Sequence, residues 1–135
     1  MAQFNHDGLD VYRLAVEFTI ETDKIVKSLP QGRSYLADQL RRAAASIPLN
    51  IAEGAGEFSP GDKARFFRMA RRSATECAAV LDVARGVAGL DAEAWKKKRE
   101  MLLRIVAMLT KMVLRQEGER RGGSGTGTFT GTGTG

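Results

Sequence analysis

A chain of 135 residues, 43% of them hydrophobic, suits one small domain with a modest core. Its 21 Lys and Arg against 16 Asp and Glu give a formal charge of +5 and a pI near 9.7, which leans toward anionic partners and leaves the fold open. No apolar run has the length of a membrane span, no charged-then-apolar leader is expected, and a lone cysteine excludes an internal disulfide, so a reducing cytoplasm is the expected compartment.

Residues 1–8 are polar and read as a flexible N-terminus. His6 is the one histidine, and Asp7 stands beside it, but nothing nearby completes a ligand set, so no metal is expected. Helix one is expected from about Asp10 to Ser28, capped by Asp7 or Asp10 and closed by Pro30-Gln31-Gly32. Leu9, Tyr12, Val16 and Ile20 form one apolar line; Val11, Leu14, Phe18 and Ile25 form another. A surface that broad suits a helix with two neighbours. Glu17, Glu21, Asp23, Lys24 and Lys27 read as its solvated face.

Helix two is expected to begin near Ser34, a plausible cap, and to end between Gly54 and Gly56. Leu36, Leu40, Ala43, Ile47 and Ile51 recur at three and four residues and line one face. Pro48 interrupts this period, removes a backbone donor and crowds the carbonyl of Ala44. A bend there frees that carbonyl, which then needs another donor. Asn50 and Glu53 lie near the apolar face, and Arg41 and Arg42 come before the proline. The mixture fits a kinked core helix with a solvated edge, or a helix whose polar residues have work to do. Ala43, Ala44, Ala45 and Ala52 allow a second helix to come close.

Ser59-Pro60-Gly61-Asp62 gives helix three the clearest start in the chain: a cap, a proline at the first position and an acid at the third. Phe66, Met69, Ala70, Ser73, Cys77, Val80, Leu81 and Ala84 are expected on its buried side, with Cys77 an inert buried thiol. Arg65, Arg68 and Arg72 share a face by the three-and-four rule, with Lys63 extending it. Helix four is expected from Asp91, with Trp95, Leu102, Ile105, Val106, Leu109, Met112 and Val113 inward. Lys96-Lys97-Lys98-Arg99 turn about 100° each, so they point all round the helix and read mostly as solvated. The pattern stops before Gly118. The bundle is thus expected over residues 9–117, and residues 118–135, rich in Gly and Thr, read as a disordered tail.

Catalytic chemistry has little to work with. His6 is remote in sequence from Cys77, no Glu-x-x-His pair stands on a helix, and Gly54-Ala55-Gly56 leaves a helix where a phosphate-cradling loop would enter one. Neither an enzyme activity nor a cofactor is expected.

The run Gln39-Leu40-Arg41-Arg42-Ala43-Ala44-Ala45-Ser46-Ile47-Pro48-Leu49-Asn50-Ile51-Ala52-Glu53-Gly54 resembles the signature of the four-helix-bundle family first noted in intervening sequences of bacterial 23S rRNA genes. The accessory variability determinant of diversity-generating retroelements is a relative of that family. Leu9-x-Val11-Tyr12, Phe66, Phe67 and Ala70 through Glu76 extend the likeness, which covers roughly Leu9 to Leu114. One departure is Arg72, where the family usually has Gly before the Ser of helix three; it bears on how closely two backbones approach there. The resemblance implies an all-α, antiparallel up-down-up-down bundle that assembles as a homopentamer. It also implies nucleic acid and a reverse transcriptase as partners.

Two readings follow. In the first, a basic oligomeric accessory protein binds RNA or DNA through Arg65, Arg68, Arg72 and Lys63. In the second, the protein is an interaction scaffold. In either, Arg41, Arg42, Asn50, Glu53 and Glu76 are candidate contacts between subunits.

Overall fold

The apolar periods and caps become helices where they stand. The computed structural model describes residues 2–125, which form α1 (Asp10–Ser28), α2 (Ser34–Gly56), α3 (Pro60–Val87) and α4 (Ala92–Gly125), with a 3-10 turn at Gln31–Arg33. No strand occurs among the described residues. Ser59 caps α3 by accepting from the Asp62 amide at 3.1 Å, and Asp91 caps α4 by accepting from the Ala94 amide at 3.0 Å. Two expected caps are not used. Leu9 precedes α1 without a side-chain cap, while the Asp7 carboxylate accepts from the Phe4 amide instead; the 3-10 turn leads directly into Ser34. Helix α4 continues through Gly118 to Gly125, into the segment expected as tail, and residues 126–135 of that tail lie outside the described residues.

Cross-helix pairs fix the topology. Thr19 meets Ala44 and Asp23 meets Arg41; Ser73 meets Ser46 and Glu76 meets Gln39; Asp82 meets Arg99 and Arg68 meets Glu117. In each series one number rises as the other falls, so successive helices are antiparallel. With α1 also packed on α4, the four close into an up-down-up-down bundle.

Phe18, Leu40, Ile47, Ile51, Leu81, Ile105 and Leu109 are fully buried and belong to one core cluster. Each contributes about 1.5–3 kcal/mol by leaving water. On α1 the line through Val11, Leu14, Phe18 and Ile25 is buried; Tyr12 and Val16 are half-buried, and Ile20 is exposed. On α3 the period starts one residue later than expected. Phe67, Ala70, Ala74, Cys77, Leu81 and Ala84 face inward, so Phe66, about 100° away, is only half-buried and Met69 is exposed. Burial, with the nearby Glu76 charge adding to it, pushes the Cys77 thiol up to about 12, as befits an inert side chain.

Pro48 does not end α2. The Ala44 carbonyl, deprived of its helical donor, stands 3.1 Å from the Thr19 hydroxyl of α1, whose one proton it shares with the Ala15 carbonyl at 2.8 Å. Near the other end of α2, Gly54 lets α3 come close: a Cβ at that position would stand 2.7 Å from a ring carbon of Phe67, itself buried. A Cβ at Gly56 would meet nothing. Gly54→Ala is therefore expected to lower stability by about 1–3 kcal/mol through overpacking. Gly56→Ala is expected to be neutral or to add up to about 1 kcal/mol through helix propensity. Urea unfolding followed by circular dichroism checks both.

Candidate nucleic-acid and oligomer interfaces

The polar residues of the α2 run are mostly satisfied inside their own chain. Ser46 and Ser73 share a hydrogen bond between hydroxyls at 2.8 Å, and the Asn50 amide donates to both the carbonyl and the hydroxyl of Ser46 at 2.9 Å. Arg72, where the family has a glycine, is exposed, and the hydroxyl contact forms beside it. Asn50 has no need of a second subunit to satisfy that amide, so it gives no independent reason for one. Arg41 sits 3.5 Å from Asp38 and 3.8 Å from Asp23, and Arg42 donates to the Asp38 carbonyl at 3.4 Å. Glu76 accepts from Gln39 at 3.4 Å, and Glu53 is exposed.

Around these groups the outward side of α2 and α3 is apolar in part. Tyr35, Arg42 and Leu49 recur every seven residues, two turns apart, and so stand on one side of α2. Leu49 is 65% exposed, Tyr35 55%, and Phe58, in the connection to α3, 98%. Met69, Val83 and Val87 are exposed on α3. Apolar side chains mixed with Arg42, Glu53, Arg72 and Glu76 make a surface of both signs.

The four bases singled out on α3 divide. Arg65 and Arg72 are exposed; the Arg65 guanidinium lies 4.4 Å from the centre of the Phe66 ring, and neither residue has an acid within ion-pair distance among the described residues. Arg68 is paired with Glu117 of α4 at 2.8 Å, which neutralises it and ties α3 to α4. Lys63 is on the opposite side of the helix, two residues being 200° from Arg65, and its Nζ donates to the Ala55 carbonyl at 3.1 Å. It closes the end of α2 where free carbonyls gather. The ridge expected from four bases is reduced to Arg65 and Arg72.

The family model described as 23S rRNA-intervening sequence protein matches residues 7–111, which span α1, α2, α3 and most of α4. The chain belongs to that family. No curated protein matches it.

In this family member the dense run on α4 splits as well. Lys98 is 6% exposed and hydrogen-bonded to Glu21 of α1; Arg99 pairs with Asp82 at 3.0 Å and lies near the Trp95 ring; Lys96 and Lys97 remain exposed. Among the bases passed over in the sequence are Arg104, Lys111 and Arg115 of α4, all exposed and without an ion-pair partner among the described residues. Their signal was a recurrence at seven residues from Lys97 through Arg104 to Lys111, followed by a step of four to Arg115. No group of three or more His, Cys, Asp or Glu side chains is placed to hold a metal, and no helix is long and apolar enough to cross a membrane, among the described residues.

The Lys98–Glu21 pair generates a pH prediction. The Lys98 hydrogen bond, supported by Glu17, holds the Glu21 carboxyl below the ordinary carboxylate range, and partial burial opposes it. A carboxyl lowered on folding adds stability that is present above its unfolded value, about 4.5, and lost as pH falls through the lowered one. Glu21→Gln is expected to cost about 1–2 kcal/mol at pH 7 and close to nothing once the parent's carboxyl is protonated. Urea midpoints of parent and variant from pH 7 down to pH 3 check whether the gap closes.

Proposed function

We propose that this family member is a non-catalytic, cytoplasmic homo-oligomer, with five subunits as the resemblance implies, that serves as a nucleic-acid-binding accessory protein. The observation that carries the nucleic-acid part is the pair Arg65 and Arg72: exposed, unpaired with acids among the described residues, and two turns apart on α3. Their Cα atoms are separated by about 10.5 Å along the axis, which suits two phosphates of one strand. Such contacts position a partner without reading its sequence. The machine it would serve is a reverse transcriptase or an rRNA-associated element; that part rests on the resemblance to the retroelement determinant.

The mixed surface of α2 and α3 supports self-association. Leu49, Tyr35, Met69 and Phe58 expose apolar area among charges of both signs, and small domains gain most from covering such area. The same observation favours a second reading, an oligomeric scaffold in which Arg65 and Arg72 meet Glu53 and Glu76 of a neighbouring subunit and no nucleic acid is bound.

Two measurements separate these. In the first, affinity for nucleic acid is followed against salt. The Arg65→Gln, Arg72→Gln double variant is expected to bind more weakly, with a log–log slope shallower by about 1.8 per engaged protomer on duplex DNA. Arg68 is left in place because it ties α3 to α4. A parent that fails to bind at low salt would favour the scaffold. In the second, light scattering at micromolar concentration is expected to show an oligomer that Glu53→Ala weakens and Glu17→Ala does not. A concentration-independent monomer would contradict the assembly.

A further inference from the structure

Lys97, Arg104, Lys111 and Arg115 form a line on the outward side of α4. At 100° per residue they fall within about 40° of one another, and at 1.5 Å per residue they extend over about 27 Å. All four are exposed, and none has an ion-pair partner among the described residues. Between Lys97 and Arg115 the only acid on α4 is Glu100. Facing α1, the groove that Lys97 and Arg104 share with Lys98 also holds Glu17 and Glu21, and Lys98 takes up Glu21. The line is therefore most positive from Arg104 onward.

We propose that this line is a phosphate-binding ridge for the backbone of a double-helical nucleic acid. The inference rests on the nucleic-acid reading above and adds a site on a different helix. Three observations select this partner. First, four bases in a straight row, three of them seven residues apart, match a rigid and regularly charged partner, and a duplex carries one charge per about 1.7 Å of its axis. Second, the row has no aromatic side chain for bases to stack on: Trp95 of α4 is turned toward α3 and donates to Asp82 at 2.9 Å. Single-strand binding relies on such stacking. Third, no Asn or Gln lies between Lys97 and Arg115, and Thr110 is held by Arg71 of α3 at 3.2 Å, so no side-chain amide is placed to read base edges. Recognition by this ridge is directed at phosphates and is independent of sequence.

Leu103 and Leu114 are exposed on the adjoining side of α4. They lie about 60–120° from the basic line. They offer a protein partner a footing that a phosphate backbone would not use, and this makes the two occupants separable.

The test compares five full-length proteins: the parent, an Arg104→Gln, Lys111→Gln, Arg115→Gln ridge variant, a control with Lys24→Gln, Lys27→Gln, Arg33→Gln, which loses the same charge from other helices, the Arg65→Gln, Arg72→Gln variant, and a Leu103→Ser, Leu114→Ser variant. Each is titrated with duplex DNA, duplex RNA and a single strand of equal length across a salt series, with circular dichroism confirming helix content. The ridge variant is expected to lose affinity for duplexes, with a DNA slope shallower by about 2.7 per engaged protomer, so that its deficit against the parent is about 40-fold larger at 50 mM salt than at 200 mM. The control is expected to keep the parent's slope. The DNA and RNA arms identify which duplex supplies the phosphates. Equal losses in ridge variant and control would overturn the site in favour of diffuse charge. Losses confined to the Arg65, Arg72 variant would overturn it in favour of α3 alone, and in both cases the accessory reading stands. Tighter binding of the single strand than of either duplex would overturn the choice of partner. A parent that binds none of the three would remove the accessory reading together with the ridge. Duplex binding lost in Leu103→Ser, Leu114→Ser but kept in the ridge variant would also contradict the proposal.

Discussion

A proline in the middle of a packed helix leaves one carbonyl without its donor, and the bundle is arranged around how that carbonyl is satisfied. Pro48 takes the amide from position 48, and the Thr19 hydroxyl of α1, bonded to the Ala15 carbonyl of its own helix, reaches the Ala44 oxygen as a shared second acceptor. The contact sits at the middle of both helices, so it sets where α1 and α2 stand along one another. On the opposite flank Ser46, Ser73 and Asn50 join α2 to α3. Lower down, Gly54 gives way to the Phe67 ring. Helix α2 is thereby held on both sides by contacts that leave little freedom of register, and α4 follows through Arg68–Glu117, Arg71–Thr110 and Lys98–Glu21.

This arrangement decides which charges remain for partners. Helix packing uses up Arg68, Lys98 and Arg99 as ion pairs across helices, and Lys63 as a cap. What is left outward separates by helix. The outer side of α2 and α3 mixes apolar groups with charges of both signs, which suits contact between identical surfaces. The outer side of α4 is basic over a length comparable to eight base pairs at about 3.4 Å each. A bundle with one mixed side and one basic side can assemble through the first and present the second; the two roles meet only on α3, where Arg72 lies within the mixed side.

Much of the fold was legible in the sequence because local signals agreed. The cap at Ser59, the acid at Asp91 and the apolar periods placed the helices. The need for a donor at Ala44 was visible from Pro48 alone; its source was not, because Thr19 lies 25 residues away on another helix. The same distance in sequence hid the fates of Arg68 and Lys98, whose acids stand 49 and 77 residues off. Phe66 and Phe67 are adjacent aromatics, and only the small residues downstream, read from Phe67, choose between them. On α4 the four consecutive bases drew attention from a sparser pattern. Residues 97, 104 and 111 are separated by two whole turns each, and that recurrence is what a straight helix converts into a line.

The packing of α1 on α2 depends most on the Thr19 hydroxyl serving the Ala44 carbonyl that Pro48 leaves without its amide. A double-mutant cycle in urea measures this directly, with Thr19→Val and Pro48→Ala made singly and together. In the parent background Thr19→Val is expected to cost about 1–3 kcal/mol, because the Ala44 carbonyl is left without a donor. In the Pro48→Ala background the helix supplies its own amide, and the cost is expected to fall below about 0.5 kcal/mol, a coupling of the size seen between groups in direct contact. Equal costs in the two backgrounds would contradict the account.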